Sequence, residues 1–279
     1  MFLLHRAVFF SIPQPHSQMT EKFSNNGGKI FQQMAEKMYF CFYLYSVNKL
    51  CNNLYAMNIE KYYEIKNSLP APVQLIAVSK FKPAEDIQTL YNEGQRAFGE
   101  NKAQEMKAKH EILPKDIQWH FIGHLQTNKI KYIAPYVTMI HSIDSAELLS
   151  EVNKYALKND RVIPCLLQFH IAAEETKFGF DLRECEEMLN SADFQNWKNV
   201  HICGVMGMGT FTEDMDQVRR EFQHLHQIFD TLKQKYFADD ADFKELSMGM
   251  TDDYPIAIEE GSTFIRIGSA IFGARNYQL

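Results

Sequence analysis

The segment LIAVSKFKP, residues 75–83, runs through four apolar residues into Ser79 and Lys80, just ahead of a proline. An amine desolvated there loses part of its preference for the charged form, and the free amine can attack an aldehyde to form a Schiff base. The competing reading is a solvated strand end. A second cation, Arg266, stands in TFIRIGSAIFG on the strand face it shares with Phe264 and Gly268. A guanidinium keeps its proton and needs an acceptor, either a carboxylate such as Glu259 or Glu260 or the ring nitrogen of a bound pyridine. Directly after it, Gly268 and Ser269 offer a close backbone approach, an N–H and a hydroxyl. Ser247, Gly249 and Thr251 of LSMGMTDD offer a similar set. Each group alone is turn chemistry; both together suit a phosphate. FGENKAQE places Glu100 and Asn101 just after strand two, where the Asn101 amide could contact a ligand from the opposite side or cap the next helix.

Other motifs exclude more than they suggest. CGVMGMGTF carries Gly204, Gly207 and Gly209 but no G-K-[ST], and its spacing misses G-x-G-x-x-G. These glycines read as a strand end in close contact with a neighbour. His120 and His124 are four apart in WHFIGHLQ, yet in a strand-turn segment without the H-E-x-x-H glutamate, which argues against zinc. Trp119 reads as core, and no G-x-S-x-G elbow occurs. Five cysteines without a C-x-x-C pair suit buried thiols in a reducing, cytoplasmic compartment.

The elements that must position these residues follow from periodicity. Short apolar runs at 73–79, 96–99, 117–123, 137–143, 162–171, 200–208, 244–249 and 263–268 predict eight strands. Amphipathic stretches lie between them, including SAELLSEVNKYALKN with Ser145 as N-cap. The longest, 214–237, spaces Val218, Phe222, Leu225, Phe229, Leu232 and Tyr236 by threes and fours. This alternation predicts an α/β fold, a single (β/α)8 TIM barrel, with chemistry at the C-terminal strand ends and phosphate after strands seven and eight. Gln74, Ile76, Val78 and Lys80 share a face, which leads the amine toward the barrel mouth. A closed barrel needs no partner to cover its edges, which predicts a monomer.

With 279 residues, 46% of them hydrophobic, the chain can bury one large core. A net charge of −6 argues against a nucleic-acid partner. Residues 1–56 differ in character. MYFCFYLYSVNKL is too interrupted to span a membrane, and MFLLHRAVFFSIPQP lacks the layout of a secretory signal. They read as a non-native or disordered extension preceding Met57, with the functional domain at 57–279.

In order, AVSKFKP, FGENKAQE, WHFIGHLQTNK, HSID, EETKFG, GVMGMGTF, LSMGMTDD and GSTFIRIGSAIFGAR cover nearly the whole barrel. This set resembles the pyridoxal phosphate homeostasis protein family, whose barrel is similar to the N-terminal domain of alanine racemase. The resemblance implies pyridoxal 5'-phosphate (PLP) as cofactor and Lys80 as its Schiff-base lysine. It further implies Asn101 near the cofactor, Ser247, Gly249, Gly268 and Ser269 around the phosphate, and Arg266 at the pyridine nitrogen. A small or polar residue is the usual expectation at the position of Phe81. About eleven residues follow Gly268, too few for a second domain to enclose the site, so an open site is expected. The implied role is a carrier or buffer of PLP that supplies apo-enzymes, without established catalysis. A racemase of low activity and a cofactor-free aldolase remain as alternatives.

Overall fold

The computed structural model describes residues 57–173 and 178–274. The reading of residues 1–56, including Met57 as the start, concerns a segment outside the described residues, and so does the EETK portion of EETKFG.

Helix α1 (Ile59–Ser68) begins at Asn58, whose side chain accepts from the Lys61 N–H at 2.8 Å. Eight strands then alternate with helices. They are β1 (Gln74–Val78), β2 (Ala97–Glu100), β3 (Gln118–Phe121), β4 (Met139–Ile143), β5 (Ile163–Gln168), β6 (Val200–Met206), β7 (Glu245–Ser247) and β8 (Phe264–Ile267). The helices after α1 are α2 (Ala84–Asn92), α3 (Ala103–Ile112), α4 (Ala146–Lys158), α5 (Leu182–Leu189), α6 (Met215–Tyr236), α7 (Tyr254–Glu259) and α8 (Ser269–Phe272). A 3-10 helix at Thr127–Tyr132 stands between β3 and β4. All the strands pair in parallel, and β1 also pairs with β8, which closes the barrel in sequence order.

Alternation along the strands sorts the core into two shells. Leu75 and Ala77 face the helices, within a cluster that includes Phe98, Trp119, Phe222 and Leu232. Ile76 belongs to the barrel interior with Ala97, Met139, Leu166, Cys203, Met206 and Phe264. The expected N-cap of α4 is present, with Ser145 Oγ accepting from the Leu148 N–H at 3.2 Å. Along α6, Val218, Phe222, Leu225, Ile228 and Leu232 are buried, whereas Phe229 and Tyr236 are only half-buried. Helix α1, not foreseen from periodicity, meets α8, and the Asn58 N–H donates to the Ile271 carbonyl at 2.7 Å.

Several strands end earlier than their apolar runs. The segment after β5 leaves the sheet at Phe169, which bridges to Phe180. In β6 the register shifts at Gly204, whose φ is +152° and where a Cβ would lie 1.8 Å from the Glu245 carbonyl oxygen. Only glycine permits that approach. Cys165, Cys185 and Cys203 are free buried thiols, and burial pushes the thiol of Cys203 up to about 11 and that of Cys185 up to about 12.

Candidate functional site

Strand β1 stops at Val78, and a turn follows in which the Lys82 N–H donates to the Ser79 carbonyl at 3.0 Å. Lys80, half-buried, continues the inward parity of Ile76 at the C-terminal rim. The two lysines of SKFK are separated by this turn. Lys82 Nζ donates to the carbonyls of Phe272 at 2.5 Å and Ala274 at 3.0 Å, tying the turn to the end of α8. Phe81 has a φ of +62°, a conformation suited to glycine or asparagine. That is the physical basis for expecting a smaller residue there. The ring is 46% exposed, and Lys102 Nζ lies 4.6 Å from its centroid.

Beneath this turn lies a buried ionic cluster. Glu100, the last residue of β2, accepts through Oε1 from Ser79 Oγ at 2.6 Å and from Lys109 Nζ at 2.7 Å. Lys109 also donates to the Ser79 carbonyl at 2.8 Å and to Glu105 Oε1 at 2.7 Å. Glu105 Oε1 in turn accepts from the Phe81 N–H at 2.7 Å. Burial, opposed by Lys109 and assisted by Glu105, pushes the Glu100 carboxyl up to about 7.

Arg266 lies inside the barrel, opposite Ile76 in the β1–β8 register. Its Nη1 donates to Ser247 Oγ at 2.7 Å and its Nη2 to the Gly207 carbonyl at 3.0 Å. Glu259 and Glu260, weighed as its partners, instead bind Arg219 at 2.5 and 2.6 Å. Arg266 makes no ion pair among the described residues. Burial pulls it down to about 10, and Asp253 partly opposes this. Ser247 is fully buried, and beyond it the hydrogen bonds continue to His141 Nδ1 at 3.0 Å and from His141 Nε2 to His120 Nδ1 at 2.9 Å. Burial drags His120 down to about 4 and His141 well below its ordinary value, so both rings are neutral near pH 7.

The loops after β7 and β8 meet, with Ser269 Oγ donating to Thr251 Oγ1 at 3.1 Å. Gly249 has a φ of +94°, and a Cβ there would lie 2.6 Å from that of Ala257. Its carbonyl accepts from the Arg266 N–H at 2.9 Å. Gly268 follows the residue paired with Ala77, and a Cβ on it would lie 3.1 Å from the Val78 carbonyl oxygen. Gly268 and Ser269 are thereby set beside the approach to Lys80. On the other flank Asn101 follows β2, and its Oδ1 is buried with no hydrogen-bond partner among the described residues. Gly123 makes room for it, since a Cβ there would come within 2.7 Å of the Asn101 Cα.

Lys80, Asn101, Gly249, Gly268 and Ser269 therefore gather where β7, β8, β1 and β2 adjoin, with Arg266 and Ser247 one layer deeper. His120 and His124 part company: His120 turns into the barrel, whereas His124 Nδ1 meets Asp144 Oδ2 at 2.9 Å on the rim. There His124 stacks on Phe178 with centroids 4.0 Å apart, beside a cavity of about 420 Å³ lined by Gln126, Asp144 and Glu147. Sequence reasoning missed His141, Lys109 and Glu105. The i, i+4 spacing of Glu105 and Lys109 on α3 was the available signal, but such pairs are common on solvated faces.

A closed parallel barrel with a lysine after its first strand and an arginine inside its eighth defines a class, and the family model for the alanine racemase N-terminal domain matches residues 58–276. A pyridoxal phosphate homeostasis protein of Aquifex aeolicus is 39% identical over 205 residues, 73% of this chain and 88% of that protein. The one of Homo sapiens is 36% identical over 214 residues, 73% of this chain and 77% of that protein. The chain belongs to the pyridoxal phosphate homeostasis protein family. Among solved structures, PipY of Synechococcus elongatus without PLP superposes with a TM-score of 0.71 at 35% identity, covering 77% of this chain and 99% of that one. PipY with PLP bound gives 0.69 at 34% identity with the same coverage. Alanine racemase of Bartonella henselae, at 12% identity and a TM-score of 0.57, shares the fold. No helix among the described residues is long and apolar enough to cross a membrane.

Proposed function

We propose that this protein binds PLP reversibly through Lys80 and contributes to intracellular PLP homeostasis as a carrier or buffer that supplies apo-enzymes. The observation that carries this reading is the desolvated Arg266 guanidinium, which has no carboxylate partner among the described residues and lies in the strand beside the one that leads to Lys80. The orphaned Asn101 Oδ1 supports it, because a buried polar atom without a partner is costly unless a ligand completes it. The binding of PLP by PipY supports it as well.

Lys80 would hold PLP through its primary amine, the group able to condense with the aldehyde that the cofactor would supply, with loss of water. Gly268, Ser269, Thr251 and the Gly249 turn would hold the phosphate through N–H and hydroxyl donors, in the manner of a backbone nest. Arg266 would donate to the pyridine nitrogen. As a cation there it disfavours a second positive charge, so the ring, which in PLP chemistry acts as an electron sink, is a weak one here. Asn101 completes the polar contacts on the β2 side. Ser247, with its hydroxyl already engaged, serves by fixing Arg266 from below rather than by touching phosphate.

The test is borohydride reduction of protein loaded with PLP, followed by peptide mass spectrometry. The reduced adduct is expected on Lys80 and not on Lys82. An unmodified Lys80 peptide from yellow, reduced protein refutes the assignment. Release of PLP to an apo-enzyme, without exchange of the α-proton of amino acids in deuterated water, separates carrier from racemase.

A further inference from the structure

We propose that Glu100, Lys109 and Glu105 form a positioning cluster for Lys80, clamping the residues on either side of it so that its amine is held in register with the site. The inference rests on the reading of Lys80 as the aldehyde-binding amine. Each contact falls on a neighbour of Lys80: Glu100 takes the Ser79 hydroxyl, Lys109 takes the Ser79 carbonyl, and Glu105 takes the Phe81 N–H. With three acceptors, Lys109 has all three ammonium protons engaged.

A filler role explains this cluster poorly. One carboxylate and one ammonium are withdrawn from water, with Glu105 only partly so and Glu100 Oε2 buried without a partner among the described residues, and apolar residues of similar volume are often at least as stabilising in such a place. What the cluster does hold is strain. Phe81 keeps a φ of +62°, where a bulky residue persists only if its surroundings over-determine it. Releasing the Phe81 N–H and the Ser79 carbonyl lets the turn relax toward negative φ, which swings the Lys80 Cα–Cβ bond away from its inward parity. Misplacement of a reacting atom by about 1 Å can cost on the order of a hundredfold in rate.

The experiment uses the full chain with three substitutions, Glu100→Ala, Glu100→Gln and Glu105→Ala. The last changes a partly exposed residue and tolerates folding even if Glu100→Ala does not. Two rates are read: growth of the visible band when PLP is added, and, without PLP, acylation of Lys80 relative to Lys82 by acetic anhydride, scored by peptide mass spectrometry. Glu100→Ala is expected to slow band growth about tenfold or more and Glu105→Ala about threefold. Both should shift the acylation ratio, whereas Glu100→Gln, which keeps an acceptor for Ser79, returns both to near wild type. Wild-type rates and ratios in both alanine variants overturn the proposal. If wild-type protein forms no adduct at Lys80, the cofactor reading fails, and the acylation ratio still decides whether the clamp exists.

Discussion

Replacing Glu100 by glutamine tests the electrostatics of the turn through stability alone. The Glu100 carboxyl titrates near its ordinary 4.5 in the unfolded chain and at about 7 in the folded one, with burial as the main cause. The folded state therefore holds its proton more tightly. Between those values the unfolded chain binds fewer protons, so stability falls as pH rises through the window. The penalty is small at pH 5, on the order of 1 kcal/mol, and on the order of 3 kcal/mol at pH 8. Glutamine has the same shape and does not titrate in this range. The difference in unfolding free energy, Glu100→Gln minus wild type, should thus grow by roughly 2–3 kcal/mol from pH 5 to pH 8 in urea titrations and level off above. Subtracting wild type at each pH removes the contribution of the distant carboxylates and histidines. A pH-independent difference, or one that shrinks with rising pH, refutes the placement of Glu100 as a carboxyl whose titration burial pushes up.

Four further outcomes follow from the geometry. His120 is held down to about 4 against an ordinary 6.5, so its contribution is present above pH 6.5 and is lost as pH falls toward 4. His120→Asn should therefore lose about 2 kcal/mol less than wild type on acidification from pH 7 to pH 5, measured by denaturant unfolding. Arg266→Met should weaken PLP binding and free the ring nitrogen to take a proton, visible as a new pH dependence of the absorption band; an unchanged spectrum across pH would count against a contact with that nitrogen. Gly249→Ala places a methyl 2.6 Å from the Ala257 Cβ at a φ of +94° and should destabilise the barrel by about 1–3 kcal/mol in thermal melts, with PLP affinity falling as the loop proposed to hold the phosphate shifts. Phe81→Asn relieves the positive φ and should raise stability by about 0.5–1 kcal/mol; a loss would show that packing under Lys102 outweighs the backbone term.

The barrel was legible because each strand is buried on both faces and each helix on one. The apolar runs and the 3.6-residue stripe of α6 are the direct imprint of that burial. Boundaries were less legible. Phe169 and Ile171 are as apolar as a strand requires, yet the chain leaves the sheet before them, and hydropathy does not record where hydrogen bonding stops. Of the site, the glycines and hydroxyls after β7 and β8 could be named from the (β/α)8 architecture, whose strand ends are known once the strands are counted. The partner of Arg266 could not. Glu259 and Glu260 are near it in sequence, but Arg219, about forty residues earlier, takes them across the α6–α7 contact.

Local sequence determines where a lysine follows an apolar run, where a proline must interrupt, and which helix can be capped by Ser145. These are matters of neighbours a few residues apart. Closure of the sheet decides the rest, because it brings β1 against β8 and leaves Arg266, without a carboxylate partner among the described residues, beside the strand that leads to Lys80. It also folds α3 back under the β1 turn, where Lys109 and Glu105 reach residues 79 and 81. Long-range electrostatics in a desolvated interior depends on distances that only this closure sets, and no spacing along the chain encodes them.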